Sequence, residues 1–409
     1  MKFRAIIFVF ILFLLDFYVF QAFNQVFEHT STQTKLLLNS LYWLVSTICF
    51  CYLVLNTIGI NNSWNTTFNI LLRAFVVITI FAKLPVLILL LLDELWRMII
   101  WSFGIRNVAG QLTERSEMLS KFALMVGAIP FVSLLYGLIR NPYRYKLYKE
   151  KIAIRNLPKA LNGLKIVQIS DIHSGSFTFK EPVKKAIEII NEQKADLVFF
   201  TGDLVNSIAE EMERFVDVFD KIESKYGIFS VKGNHDYGDY HRWSNKEKKR
   251  LNTVQFEDIQ KRLGWDLLLN EHRVLEINGE KLAIIGVENI SSKVHFSKYG
   301  DLEKAYNGCE ECPVKMLLSH DPSHWTAETI KNFKDIDLTL SGHTHGMQFG
   351  IEIPGWLKWS PIKYIYKQWA GLYKEGEQYL YVNRGLGFLG YPGRVGILPE
   401  ITLLELETT

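Results

Sequence analysis

The feature that most constrains this chain is the contrast between its first third and the rest. Residues 1–140 of the 409 are dominated by four long apolar segments with few charges. A hydrocarbon core about 30 Å thick is crossed by roughly 20 apolar residues in a helix. We therefore predict a helical membrane domain over 1–140. Its transmembrane helices are expected at about 5–23, 36–60, 68–92 and 122–139.

The first apolar segment is too long for a signal peptide and lacks a small-residue cleavage site, so we expect it to be retained. It contains Asp16, and the third segment contains Arg73 and Lys83. Charges inside a span are costly and usually face the bundle interior or extend to an interface. We expect a structural role for these three residues, with a functional role as the alternative.

Basic residues at the ends of the apolar region suggest its orientation. Lys2 and Arg4 precede the first segment, and five more basic residues follow the fourth within a dozen positions. Because four spans place both ends on one side, the positive-inside rule predicts a cytoplasmic soluble domain in a bacterial inner (plasma) membrane. The basic residues of 93–121 oppose this orientation, unless that segment forms an interfacial amphipathic helix.

Composition excludes some classes of protein. The net charge of +3 is too small to indicate nucleic-acid binding, so we expect no nucleic-acid partner. Four cysteines do not make a disulfide scaffold. Cys309 and Cys312 form an isolated CxxC with no second Cys/His pair nearby. A loop disulfide or two free thiols is therefore favoured over a metal site.

From about residue 147 the pattern becomes that of a soluble domain. Short apolar runs with polar ends alternate with helical segments, for example "LKIVQISD", "EPVKKAIEIINEQK" and "ADLVFFTGD", which predicts an α/β sheet. "EINGEKLAIIGVEN" predicts a hairpin that turns at Asn-Gly. We assign 141–158 to a basic juxtamembrane linker with the first strand, and 159–409 to a catalytic domain.

The polar strand ends carry the chemistry, because ligands of such folds gather beyond the carboxyl ends of strands. They supply carboxylate, amide and imidazole donors beside glycines: Asp171, His173, Asp203, Asn234, His235, His320, His343 and His345. Such donors suit Mn, Fe, Zn or Co, and their number suffices for two ions sharing a carboxylate. Each end alone could be an ordinary turn, but five in order are hard to obtain from turn chemistry.

The motifs "SDIH", "GDLV", "GNHD", "HDP" and "GHTHG" resemble the calcineurin-like metallophosphoesterases, especially their membrane-attached branch. The resemblance spans about 147–406 and implies a four-layer α/β/β/α sandwich. It implies a first metal on Asp171, His173 and His345, with Asp203 as the bridge. A second metal would be held by Asn234, His320 and His343. His235 would protonate the leaving oxygen while a metal-bridging hydroxide attacks phosphorus.

Three departures from related proteins stand out. Asn206 lies where Ser/Thr protein phosphatases have an Asp that orients the catalytic His, so Asp236 is expected to support His235 instead. Met347 replaces a frequent glycine of this branch, and its side chain is expected to narrow the pocket. The stretch "DYHRWSNKEKKRLN" is interpreted as a solvated lead-in to a helix, with a lid as the alternative.

Two features bear on the substrate. Residues 353–376 mix aromatic residues with lysines, as at a membrane interface, although a packed loop is an equal alternative. Arg384 and Arg394 are predicted to hold phosphate oxygens. The leading hypothesis is a membrane-anchored dimetal phosphohydrolase acting on a phosphorylated small molecule or a lipid-linked phosphate. The alternatives are a pyrophosphatase of the UDP-diacylglucosamine type, and a catalytically idle membrane sensor or scaffold.

Overall fold

Four long helices form the first unit of the chain, 1–138, in the computed structural model, which describes residues 2–60, 66–103, 116–294, 296–353 and 355–409. They are α1 (Lys2–Val26), α2 (Thr32–Ile58), α3 (Thr66–Ser102) and α4 (Glu117–Ile139). Each contains a stretch long and apolar enough to cross a membrane. The predicted spans thus lie on helices of the expected type, and many of their apolar side chains are exposed, as lipid-facing residues would be.

Helix α3 extends beyond the predicted span at 68–92. Residues 93–102 continue it, so they do not form a separate interfacial helix. Arg97 is bound to Asp93 at 2.9 Å and to Glu94 at 2.8 Å, and pairs at this spacing support helical continuation. The remainder of the interfacial hypothesis, over 104–115, lies outside the described residues.

The second unit, 139–409, contains two six-stranded sheets. The first has the strand order β1-β14-β2-β3-β4-β5. Its strands are β1 (Lys146–Ile154), β2 (Lys165–Ile169), β3 (Leu197–Phe200), β4 (Ile228–Ser230), β5 (Asp266–Leu267) and β14 (Glu400–Thr408). Strands β2 to β5 run parallel, and β14 is antiparallel to β2.

The second sheet has the order β12-β13-β9-β8-β7-β6, in which β7, β8, β9 and β13 are parallel. Its strands are β6 (Glu271–Ile277), β7 (Glu280–Gly286), β8 (Val314–Leu318), β9 (Leu338–Ser341), β12 (Gly371–Glu375) and β13 (Gln378–Val382). The β6–β7 hairpin turns at Asn278 and Gly279, whose φ angles of 52° and 84° fit the Asn-Gly prediction. A separate two-stranded hairpin joins β10 (Ile351–Ile353) to β11 (Leu357–Trp359).

Helices cover the outer faces of both sheets. They are α5 (Lys180–Glu192), α6 (Val216–Phe219), α7 (Lys246–Leu263), α8 (Leu302–Tyr306) and α9 (Ile330–Asn332). Neighbouring strand residues point to opposite layers: Phe199 packs between the sheets, whereas Phe200 packs beneath α5 and α7. On the second sheet, Ile284 faces the first sheet and Ile285 faces α8. This alternation produces the predicted α/β/β/α sandwich.

The cysteine pair remains reduced in this fold. Cys309 and Cys312 are both buried and both free, so of the two favoured interpretations the structure has the free thiols. The sulfur of Cys309 donates a hydrogen bond to the carbonyl of Tyr306 at 3.0 Å.

Candidate metal centre

The predicted ligands come together at one end of the sandwich. Asp171 and His173 follow β2, Asp203 follows β3, and Asn234 follows β4. From the second sheet, His320 follows β8, and His343 and His345 follow β9. Since the carboxyl ends of parallel strands lie at the same edge, the two sheets together surround one small volume with seven donor side chains.

The first group of donors is Asp171, His173 and His345, whose ligand atoms lie within 4.8 Å of one another. The Nε2 atoms of His173 and His345 are 3.0 Å apart, and Oδ1 of Asp171 is 3.2 Å from Nε2 of His345. Ligands about 2.1 Å from one ion and roughly at right angles would be separated by about 3 Å. The spacing therefore fits a shared metal ion.

The second group consists of Asp203, His320 and His343, again within 4.8 Å. Asn234 completes it, because its Oδ1 lies 2.9 Å from Nδ1 of His343 and 3.2 Å from Nε2 of His320. The donors thus form two geometric groups, and their assignment as ligands of two metal ions stays a prediction.

Asp203 lies between the two groups. Its Oδ2 is 3.2 Å from Nε2 of His320 and 3.6 Å from Nε2 of His173. Its Oδ1 accepts a hydrogen bond from the amide of His235 at 2.8 Å. One carboxylate oxygen thus faces both groups, which is the position of a bridging ligand.

Hydrogen bonds hold the imidazoles in tautomers suited to metal binding. Nδ1 of His320 donates to the carbonyl of Thr201 at 2.7 Å, which leaves the lone pair on Nε2. Nε2 of His343 lies 2.9 Å from the Tyr366 hydroxyl, which in turn donates to Asp321 at 3.1 Å. Nδ1 of His343 then carries the lone pair that can bind a metal, and it is the atom that faces Asn234.

The electrostatics fit the same interpretation. Burial lowers the pKa of His173 to about 3, so this ligand is neutral at ordinary pH. Burial alone would raise the pKa of Asp203, but the neighbouring imidazoles of His320 and His235 hold that pKa well below its usual value. Burial lowers the pKa of His320, but the carboxylate of Asp203 raises it to about 10, so a divalent cation that binds there replaces the proton on this imidazole.

The backbone at the candidate ligands turns sharply, and the glycines beside them have no room for a side chain. Asp171, His173, Asp203, His343 and His345 all have left-handed φ angles, between 46° and 72°. A few per cent of non-glycine residues adopt such angles, mainly in tight turns and at functional sites. A Cβ on the neighbouring Gly342 would lie 1.9 Å from the Ser170 hydroxyl, and one on Gly233 would lie 2.2 Å from Oδ1 of Asp203.

His235 lies at the rim of the centre and is partly buried. Its Nδ1 is 2.6 Å from the backbone carbonyl of Asn206, and its ring lies against that of Tyr240, with centroids 4.4 Å apart and the planes tilted by 33°. The Nδ1 proton is thereby fixed, which leaves Nε2 as the nitrogen that can exchange a proton with a substrate. Asn206 thus contacts the imidazole of His235 through its main-chain carbonyl, whereas the Asp expected here in a protein phosphatase would act through its side chain.

Asp236 has another role from the one predicted. Its carboxylate accepts hydrogen bonds from the amides of Asp203 and Gly233, each at 2.9 Å, and of Leu204 at 2.8 Å. Burial, together with the charge of Asp203, raises the pKa of Asp236 to about 7. Asp236 therefore braces the loop that carries the bridging ligand and does not orient the imidazole of His235.

The two arginines predicted to hold phosphate are engaged within the protein. Arg384 is buried and binds Glu400 at 2.6 Å and Glu352 at 2.5 Å. Arg394 is fully buried and donates to main-chain carbonyls, those of Arg384, Gly385, Gly387 and Leu398. The phosphate-binding prediction for both residues has no support in this geometry, because neither guanidinium is presented to the centre's open side.

Three aromatic residues at the rim escaped sequence reasoning. Tyr240 belongs to the stretch interpreted as a solvated lead-in to α7, and its hydroxyl accepts from Asn234 at 2.9 Å. Tyr366 belongs to the aromatic stretch, and Phe296 lies 4.8 Å from the ring of His343. A tyrosine four residues beyond the GNHD motif is a usable signal only after the loop is known to fold back. Met347 has a left-handed φ of 56°, a conformation that glycine adopts without strain, which explains why related proteins have glycine at this position. The side chain of Met347 is half exposed.

Comparison with known proteins agrees with this geometry. The calcineurin-like phosphoesterase family model matches residues 164–347, and a model described as a probable calcineurin-like phosphoesterase transmembrane domain matches residues 3–142. The chain belongs to the calcineurin-like metallophosphoesterases. It is a membrane-anchored, metal-dependent phosphoester hydrolase of this family, whose members use a dinuclear metal centre.

Relatives share both parts of the chain. A zebrafish transmembrane protein with a metallophosphoesterase domain is 29% identical over 326 residues, covering 75% of this chain and 69% of that protein. An uncharacterized metallophosphoesterase of Bacillus subtilis is 28% identical over 279 residues, covering 67% and 90%. Solved structures are more distant. The NAD nucleotidase of Haemophilus influenzae is 17% identical over 56% of this chain and 45% of that one, and its TM-score of 0.38 is too low to carry an argument.

Proposed function

We propose that this phosphoesterase hydrolyses a phosphate ester carried by a lipid, and that it reaches this substrate at the membrane surface. The observation that carries the proposal is the β10–β11 hairpin, which begins one residue after the metal loop 342–350 and presents apolar side chains to the outside. Hairpins of soluble domains normally show the opposite pattern, with polar residues outward.

The hairpin's alternation makes its two faces distinct. Glu352 and Lys358 are directly opposite one another and both bond to the rest of the domain. Glu352 binds Arg384 and accepts from Tyr148, and Lys358, although exposed, donates to the carbonyl of Ala370. Ile353 and Leu357 form the next cross-strand pair and are 43% and 38% exposed. Trp356 at the turn is 77% exposed. An apolar face with a tryptophan at its tip suits the interfacial region of a bilayer.

The donor sets support the reaction type. Two divalent ions held by them would supply Lewis-acid charge to the phosphate and lower the pKa of water. The chain's own residues do the rest. His235, fixed through Nδ1 by the carbonyl of Asn206, gives a proton from Nε2 to the departing oxygen as the phosphorus–oxygen bond breaks. Water adds its oxygen to phosphorus, and the proton that water releases restores the imidazolium, so the products are an alcohol and phosphate.

We also propose that the catalytic domain is cytoplasmic. Lys2 and Arg4 before α1, and the basic cluster after α4, favour that side by the positive-inside rule. Protease accessibility of the soluble domain in sealed inside-out and right-side-out vesicles tests this orientation. Digestion only in right-side-out vesicles would contradict it.

The substrate class is tested with the full-length chain in phosphatidylcholine vesicles supplied with Mn²⁺. The substrates are 1-hexadecyl phosphate in the bilayer and p-nitrophenyl phosphate in solution. Ile353→Ser combined with Trp356→Ser should lower kcat/KM for hexadecyl phosphate about tenfold or more, since two apolar side chains no longer enter the interface. The rate on p-nitrophenyl phosphate should change by less than about twofold, because the metal ligands are untouched.

Phe179→Ser is the matched control, because Phe179 is a 61% exposed aromatic outside the hairpin and should affect neither substrate. Equal losses on both substrates would mean that the hairpin only supports the fold, and no loss on either would reject the interfacial role. Release of a nucleoside monophosphate from a nucleotide-diphospho-lipid, at a rate above that for hexadecyl phosphate, would replace the proposal with the pyrophosphatase alternative.

A further inference from the structure

The helical unit contains a second buried polar cluster, built from three helices. Asp16 lies on α1, Tyr42 and Ser46 lie on α2, and Lys83 lies on α3. Lys83 is paired with Oδ1 of Asp16 and donates to the Ser46 hydroxyl at 3.0 Å. The Tyr42 hydroxyl donates to the same Oδ1 at 2.7 Å, and its ring lies under the ammonium at 4.4 Å.

This polar cluster forms one wall of a cavity between the helices. The cavity volume is about 50 Å³, and the surface that lines it is almost wholly apolar apart from the cluster. Asp16, Ser46 and Lys83 line it together with Cys49 and Thr79. The other lining residues are Leu12, Leu15, Val19, Phe50, Leu53, Ile80, Leu84 and Leu87. A single water needs about 10–15 Å³ on this measure, so a chain terminus of a few atoms fits as well as water does.

One acceptor in the cluster has no donor. The residue Asp16 is 5% exposed, and its Oδ2 is buried without a hydrogen-bond partner among the side chains and amides that the structure describes. An unpaired carboxylate oxygen away from water is costly, and it is more costly at membrane depth, where no solvent replaces the missing donor.

A purely structural role explains only half of this arrangement. An Asp–Lys pair can hold α1 against α3, and Tyr42 and Ser46 can hold α2 against both. That role is fulfilled by Oδ1, which receives Lys83 and Tyr42. It does not account for the second oxygen, nor for the cavity that Asp16 helps to line, where a larger side chain would fill the space.

We infer that this cavity binds the hydroxyl end of an uncharged, long-chain amphiphile, with the hydroxyl donating to Oδ2 of Asp16. The charges of Asp16 and Lys83 already cancel, so an added cation or anion would leave an uncompensated charge among apolar walls. A neutral donor completes the hydrogen bonds without adding charge, and the leucines and isoleucines receive the hydrocarbon chain.

This inference is independent of the proposed reaction, because it rests only on residues of the helical unit. It would make the four helices a lipid-binding domain in their own right. Lipid alcohols belong to the same chemical class as the product of lipid-phosphate hydrolysis, so the two proposals concern related molecules but fail separately.

The test uses the full-length protein in phosphatidylcholine vesicles and a photoreactive hexadecanol that carries a diazirine and an alkyne. After irradiation, labelled peptides are mapped by mass spectrometry. We expect labelling on α1, α2 and α3 at residues that line the cavity, and we expect excess 1-hexadecanol to suppress it. Excess 1-hexadecyl phosphate should not suppress it, because its charge has no counterpart in the cavity.

Two variants separate binding from folding. Asp16→Leu with Lys83→Met removes the pair together, a change that buried ion pairs often tolerate. It should reduce labelling about tenfold, as expected for the loss of a hydrogen bond to a charged acceptor. Cys49→Phe leaves the pair intact but fills the cavity, and it should reduce labelling to a similar extent. The thermal midpoint of each variant reports whether the helices still fold.

The matched control is Asp93→Leu with Arg97→Met, which removes an ion pair from α3 that does not line the cavity. It should leave labelling unchanged. Equal labelling in all three variants, labelling that hexadecyl phosphate suppresses as well as hexadecanol, or labelling no greater than that of a photoreactive phosphatidylcholine would each overturn the inference. The last outcome would mean that the cavity contacts bilayer lipid without selecting the alcohol.

Discussion

Two of the buried polar clusters that the structure describes, one in each unit, differ in how their charges are balanced. The seven donors of the metal centre comprise two carboxylates, one amide and four imidazoles, with the free nitrogens and oxygens turned toward one another. The helical cluster pairs one carboxylate with one ammonium. The first lacks positive charge in its middle, whereas the second is neutral and lacks only a hydrogen-bond donor.

This difference indicates what each cluster can bind. Donor atoms about 3 Å apart gain stability from a cation placed among them. A neutral ion pair in an apolar cavity gains nothing from a further charge. Variants that each remove one component of the metal centre test whether its charge balance is as described.

The largest effect is expected for Asp203→Asn. The change removes the charge of the oxygen that faces both donor groups, so the second metal should no longer be held. Hydrolysis of p-nitrophenyl phosphate should fall on the order of 10⁴-fold, as when one member of a tightly coupled catalytic unit is lost. Metal content by mass spectrometry should fall from two ions per chain to one or fewer. Asp217→Asn is the control, because Asp217 is an exposed acid paired with Lys180. Two ions retained in Asp203→Asn would show that Asp203 does not bridge.

The next effect is expected for His235→Ala, which should lower kcat by about 10²–10⁴-fold while both metals stay bound. His235 contacts the centre through its amide and the carbonyl of Asn206, and its ring is not in either donor group. An acid is needed least when the leaving group is stable as an anion. The loss should therefore be larger for an alkyl phosphate than for p-nitrophenyl phosphate. Equal losses on both, or loss of metal, would contradict the role of general acid.

A smaller effect is expected for Tyr366→Phe. The hydroxyl joins Nε2 of His343 to Asp321, and its removal frees the imidazole to take the wrong tautomer. Partners of this kind typically change metal affinity by roughly 10–100-fold. Titration of the metal-free protein with Mn²⁺ should show weaker binding of one ion of the two. Tyr364→Phe is the control, since Tyr364 is 75% exposed two residues earlier. Unchanged affinity in Tyr366→Phe would mean that Asp321 and Tyr366 do not support the ligand.

The sequence predicts the donor residues because each follows an apolar run typical of a buried strand, whereas their division into two sets is implied by the family resemblance. Parallel strands then bring those ends together without any knowledge of long-range contacts. The layered sandwich is implied by the resemblance, and a central strand such as Leu197–Phe200, which is buried throughout, agrees with it. Long apolar helices are likewise readable from length and composition alone.

The sequence does not predict the role of a side chain that could point either into the site or into the protein interior. Arg384 and Arg394 have the chemistry of phosphate ligands, but burial against Glu400 and main-chain carbonyls decides their role. Asp236 stands beside His235 in the chain yet points to amides behind Asp203. Asn206 acts through its carbonyl, which every residue has, so no residue type could have revealed it. Ion pairs such as Arg97 with Asp93 support the extension of α3 beyond residue 92. From the sequence, the charges of this segment suggest a separate helix at the membrane interface.

The smallest effect is expected for Cys309→Ala with Cys312→Ala. Both thiols pack in a cluster with Ala283, Ile285 and Leu302, remote in the fold from either donor group. Replacing two small buried side chains should lower the free energy of unfolding by about 1–2 kcal/mol in total, through lost packing. Metal content and kcat should match the parent, because thiolates take no part in a centre built of oxygen and nitrogen donors. A measurable loss of bound metal would show that the CxxC contributes to a metal site, and the charge balance argued for the centre would then be incomplete.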